Sequence, residues 1–178
     1  MSEWSRPVRP EQVPATGREL SLEPSAAERG EIAERLGLIE LPELRADVLL
    51  ERDREDLLAS GTLRARAVQA CSVTGEPVEA RIEEGFELVF RDTPPAVPGD
   101  EVELHEGELE ILPFGEGGAA LGEALADTLG LALPPYPRAA HAEEALREAG
   151  VRTEEEMEAE RRAASPFAVL KGSSSPRP

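Results

Sequence analysis

The clearest pattern along the chain has a period of two. Over residues 78–90, one alternate set reads Val78, Ala80, Ile82, Glu84, Phe86, Leu88 and Phe90, with six of the seven apolar. The set between them reads Glu79, Arg81, Glu83, Gly85, Glu87 and Val89. Successive side chains of a strand point to opposite faces, so this is a half-buried antiparallel strand. Glu84 and Gly85 break the pattern and predict a β-bulge. Residues 57–70 alternate too, with Leu63, Ala65 and Ala67 opposing Arg64 and Arg66. The segment CSVTGEP at 71–77 joins the two strands, with Gly75 and Pro77 as turn residues. Residues 44–51 supply a third strand, joined through 52–55. The expectation is a meander of strands at 44–51, 57–70 and 78–90.

Helical spacing occurs twice. Ser25 followed by Glu28 has the form of a capping box, Ile32 and Leu36 mark an apolar face, and Gly37 ends it. This predicts a helix over 25–36. Leu121, Leu125, Thr128, Leu129 and Ala132 predict a second helix over 119–131, stopped by Pro134, Pro135 and Pro137. Residues 1–20, with Pro7, Pro10, Pro14 and Gly17, read as an extended arm with an edge strand at 6–9. Residues 92–100 read as a loop. Short apolar–acidic alternations follow at 101–105 and 108–112. Beyond Arg138 the helical patterns at 141–149 and 153–164 lack an apolar stripe and read as a mobile tail. The expected class is α+β: an antiparallel meander covered by the two helices. The expected organisation is an arm at 1–20, one core domain at 21–138, and an acidic helical tail at 139–178 with a short apolar segment near its end.

Charge sharpens this picture. The 178 residues carry 37 acids against 19 bases, a formal net charge of -18. Residues 92–137 hold ten of the acids and no Lys or Arg. Such a run is either a solvated acidic region or a docking surface for a basic partner, with Glu103, Glu106, Glu108 and Glu110 as the candidate residues. Arg64, Arg66 and Arg81 can share one sheet face. They then form either a solvated face paired to Glu79 and Glu83 or, with Arg138, a binding face for a partner. Six aromatic residues and an acidic balance oppose an RNA-coating role, DNA binding and adsorption to an anionic membrane.

The remaining chemistry is sparse. Cys71 is the single cysteine, which excludes an internal disulfide and a multi-cysteine metal cage. His105 and His141 have no second imidazole or thiolate at ligand spacing, so no metal and no cofactor is expected. The Gly-rich loop at 115–118 lacks a nearby cation and phosphate-loop spacing. No apolar stretch is long enough to span a bilayer, and the first residues lack an apolar signal core, so a cytoplasmic chain is expected.

Four pieces of the sequence carry a family pattern. They are GTLRARAVQACSVTGEPVEARIEEGFELVF, the opening EWSRPVRPEQVP, LGLALPPYPR after a helix, and SPFAVLKG near the end. In this order and spacing the chain resembles the YceD family, the large ribosomal RNA subunit accumulation proteins. The motif positions are Cys71, Thr74, Glu76, Pro77, Val78, Pro135, Tyr136, Pro137, Pro166 and Phe167, for which the resemblance implies a structural role. Many members have a second cysteine where this chain has Thr74, so a metal site on that pair is not available here. The resemblance implies a non-enzymatic role in ribosome assembly, supporting accumulation or processing of large-subunit (23S) ribosomal RNA. The partners it implies are a pre-large-subunit particle, a ribosomal protein, the RNA, or a combination of these. The alternative from another class is a small cytoplasmic enzyme with an acidic carboxylate cleft. Convergent carboxylates in a closed apolar pocket would favour the enzyme, and an open sheet with segregated charge the binding module.

Overall fold

The computed structural model describes residues 4–92, 110–115 and 117–152, together with 154, 157, 158 and 161. The fold is α+β, with a mostly antiparallel sheet and three α-helices among the described residues. The three long strands are β3 (Glu40–Asp53), β4 (Asp56–Ala70) and β5 (Pro77–Arg91). They form the expected meander, each strand extending beyond its predicted range. Two flanking strands complete a five-stranded sheet in the order β2-β3-β4-β5-β6. β2 (Arg18–Leu22) pairs antiparallel with β3, and β6 (Glu110–Pro113) pairs parallel with β5. The alternation at 101–105 lies outside the described residues.

Alternate residues of the strands build one core layer. Leu44, Ala46, Val48 and Leu50 of β3 face it with Leu57, Ala59, Leu63 and Ala67 of β4, and Ile82, Phe86, Leu88 and Phe90 of β5. Helix α1 (Ala26–Arg35) packs against β3, and α2 (Leu121–Ala132) packs against β4 and β5. Ile32 of α1 and Leu121, Leu125 and Leu129 of α2 supply its other half. Ser25 caps α1 as the capping box requires. Its hydroxyl accepts from the Glu28 amide at 3.3 Å, and its own amide donates to Glu28 Oε2 at 2.7 Å.

The N-terminal segment also enters the core. Trp4 is 1% exposed, and Val8 and Val13 are buried. β1 (Pro7–Val8) pairs with β7 (Ala119–Ala120), directly before α2. Arg6 grips both oxygens of Glu28 at 2.8 and 3.1 Å. Its guanidinium, followed by the Ser25 amide, holds the Glu28 carboxyl down at about 2.

One expectation fails. The β4–β5 ladder runs without a shift through Leu63↔Glu84 and Thr62↔Gly85. The irregularity lies instead between Glu40 and Glu43 of β3, around Pro42. Glu84 breaks the apolar row without bending the strand because α2 leaves an opening there. A depression of about 290 Å³, lined by Glu84, Phe86, Thr128, Leu131 and Ala132, keeps its carboxylate exposed.

Candidate functional site: the open sheet face

Helices α1 and α2 pack on one face of the sheet, and the other face carries mostly exposed or half-exposed residues. Antiparallel sheets tolerate this when the outer residues are polar, and the register shows which residues those are. At one end Glu43, Arg66 and Arg81 form a row across β3, β4 and β5, and Arg45, Arg64 and Glu83 form the next. At the middle Ser21, Asp47, Thr62 and Gly85 align across four strands. Toward the β3–β4 turn come Glu19, Leu49, Ser60 and Glu87, and then Glu51, Leu58, Val89 and Ile111.

The two ends differ in chemistry. Arg64 donates to Asp47 Oδ2 at 3.2 Å and to Glu83 Oε1 at 3.0 Å, and Arg45 donates to Asp47 Oδ1 at 3.1 Å. The Ser21 hydroxyl, then Arg45 and Arg64, hold the Asp47 carboxyl below its ordinary value. Arg66 and Arg81 stand directly opposite each other with no hydrogen bond or ion pair among the described residues. They border a shallow depression of about 540 Å³ together with Glu43, Arg64 and Glu83. At the far end Leu49 is 37% and Ile111 44% exposed, beside half-buried Leu58 and buried Val89. Glu19, Glu51 and Glu87, all exposed, surround this apolar row. Eight residues of strand separate the two ends, about 26 Å at the usual rise.

The Cys71 turn closes the β4–β5 hairpin beyond the arginine end. The Cys71 amide donates to Glu76 O at 2.7 Å, and the Gly75 amide donates to Cys71 O at 2.9 Å. Gly75 has φ +75°, a left-handed backbone that only glycine adopts without strain. Cys71 is 4% exposed, and its Sγ accepts from the amides of Val73, Thr74 and Ala139 at 3.5, 3.4 and 3.3 Å. The Thr74 side chain, then the Ala139 and Thr74 amides, lower the thiol from an ordinary 9.0 to about 6. The Thr74 hydroxyl has one proton and also faces Glu76 Oε2 at 2.9 Å. The amides therefore supply the part of the effect that does not depend on that proton.

A segment after α2 completes the turn. Pro137 O accepts from the Ser72 amide at 2.8 Å and from its hydroxyl at 3.1 Å, and Pro134 O accepts from Gln69 Nε2 at 3.1 Å. His141, beside helix α3 (Ala142–Glu148), places Nε2 2.6 Å from Glu76 Oε2. Among the motif positions, Pro77 opens β5 opposite Ala70 and Val78 lies half-buried opposite Gln69. Pro135 and Tyr136 are exposed, Tyr136 by 76%, and Arg138 is exposed on the same segment. Pro166 and Phe167 lie outside the described residues. So do Glu103, Glu106 and Glu108, while Glu110 begins β6.

The lowered thiol makes a pH prediction. The fold favours the thiolate, so that contribution is complete above the ordinary value of 9.0 and is lost as pH falls through about 6. Cys71→Ser removes it. Urea unfolding should therefore show a larger deficit for Cys71→Ser at pH 9 than at pH 5.5. An equal deficit at both would contradict the amide account of this turn.

Among the described residues no group of three or more His, Cys, Asp or Glu side chains is placed to hold a metal ion. No helix among them is long and apolar enough to cross a membrane. No curated protein and no solved structure matches the chain. A family model described as large ribosomal RNA subunit accumulation protein YceD matches residues 59–172. That range contains β4 from Ala59 onward, the Cys71 turn, β5, β6, α2 and α3, so the turn, the arginine pair and part of the acidic apolar end all fall inside it. Three of the four motif pieces fall inside the match, which covers more than half of the chain, and the chain belongs to the YceD family.

Proposed function

We propose that this chain supports accumulation of large-subunit ribosomal RNA by binding the assembling large subunit in the cytoplasm, without chemistry of its own. Its open sheet face is the docking surface, and the end near the β3–β4 turn receives a basic ribosomal protein. The observation that carries this reading is the arrangement at that end. Leu49, Leu58 and Ile111 form an apolar centre, and Glu19, Glu51 and Glu87 form an acidic rim. A protein interface has this anatomy, an apolar centre excluding water and a charged rim that selects the partner. The rim suits a basic partner, and the chain's net charge of -18 adds attraction within a Debye length of about 8 Å.

The arrangement also supports binding over catalysis. An active site gathers its titratable groups into a concave, water-poor pocket. Here the carboxylates are spread along an exposed sheet, and several are engaged by arginines of the same face. Affinity purification of the tagged full chain from growing cells tests the reading. Pre-large-subunit particles should co-purify and mature ribosomes should be depleted. Recovery of the chain free of ribosomal protein and ribosomal RNA would overturn it.

A further inference from the structure

The opposite end of the same face has an arrangement that folding does not account for. Like charges directly opposite each other in an antiparallel ladder are destabilising. Arg66 and Arg81 occupy such opposed positions, at a usual Cα separation of about 4.5–5.5 Å. The chain has ample acid with which to neutralise them, and it does so one row away. Arg45 and Arg64 share Asp47, and Arg64 also takes Glu83. Among the described residues Arg66 and Arg81 have no such partner, although Glu43 is level with Arg66 and Glu79 is two residues from Arg81.

From this juxtaposition we infer that Arg66 and Arg81 form a subsite for a backbone phosphate of single-stranded or looped RNA. This rests on the docking reading above and places the RNA side of the particle about 26 Å from the protein side. Two guanidiniums present up to ten N–H donors in two planar forks. A phosphodiester has two non-bridging oxygens and can accept from both forks. A carboxylate can do so too, as Asp47 does for Arg45 and Arg64, so a parallel titration with glutamate separates the two. Glu43, Glu79 and Glu83 beside the pair limit the contact to one or two phosphates, since a longer backbone would meet carboxylates. Arg64 borders the same depression but contributes less, because three of its five donors are already given to Asp47 and Glu83.

The contact should therefore be weak and local. Neutralising one or two phosphates of a single strand gives log K a slope against log salt of about -0.7 to -1.4. The test is a titration of the full chain with a uridine decamer, following the arginine Nε–Hε resonances by NMR. A glutamate decamer is titrated in parallel. The Arg66 and Arg81 signals should shift saturably with the RNA. Arg66→Gln with Arg81→Gln should weaken binding about tenfold, and Arg64→Gln should leave it within about twofold. Three outcomes overturn the subsite: shifts spread equally over Arg18, Arg52 and Arg138, no shift at all, or a stronger response to the glutamate peptide. The last would assign the pair to a protein carboxylate. Each of them leaves the docking reading standing if the particles still co-purify. Failure of wild-type co-purification removes that reading whatever the titration shows.

Discussion

Gly122→Ala should lower the unfolding midpoint by about 4–8 °C and shift tryptophan emission to the red. A Cβ on Gly122 would collide with the Trp4 carbonyl oxygen and sit 3.2 Å from its ring. In most helices this exchange is favourable by about 1 kcal/mol. Here the obstacle is backbone and cannot rotate away, so either the first turn of α2 or the N-terminal segment must move. Releasing the segment exposes a fully buried aromatic ring, worth about 3 kcal/mol. That exceeds the propensity gain, and in a chain of this length each kcal/mol moves the midpoint by about 2–4 °C. Trp4 is the single tryptophan, so its emission reports this packing alone. Unchanged emission and an unchanged midpoint would mean that the segment does not pack on α2 in solution.

The second large effect concerns function. Replacing Glu19, Glu51 and Glu87 together by lysine should reduce association with pre-large-subunit particles at least tenfold. All three are exposed, so each should cost the fold no more than about 0.5 kcal/mol. Reversing three rim charges converts attraction for a basic partner into repulsion. The loss should be largest at low salt, where steering is strongest. Unchanged association of this variant, with association abolished by Arg66→Gln and Arg81→Gln, would give the arginine end the whole of the docking.

Much of this surface could be read from the sequence because strands write their two faces in alternate residues. Val78 to Phe90 and Leu63 to Ala67 announced which side chains turn inward, and Arg64, Arg66 and Arg81 therefore fell on one face. Ser25 and Glu28 announced the start of α1 by a local hydrogen-bond pattern. The state of each arginine was not legible, because it depends on cross-strand register. Arg64 lies opposite Glu83 and within reach of Asp47 from a third strand, whereas Arg66 lies opposite Arg81. Asp47 carries no sequence signal for this role. Trp4 was hidden for a similar reason: one large apolar residue in a proline-rich segment has no period, and its partner, Gly122, is known only from tertiary contact. The parallel pairing of β6 rests on four residues, too few to distinguish from a loop. The amides of Val73 and Thr74 come from the turn itself, but the Ala139 amide reaches Cys71 from sixty-eight residues away.

The most direct test of open-face docking is a photo-crosslinker placed at two exposed leucines. Leu49 is on the open face beside the acidic rim, and Leu131, 81% exposed, is on α2 over the other face of the sheet. Irradiation of cells carrying each variant should join the Leu49 probe to one basic protein of the pre-large-subunit particle, with no comparable product from Leu131. Equal cross-linking from both positions, or a product from Leu131 alone, would contradict docking through the open face.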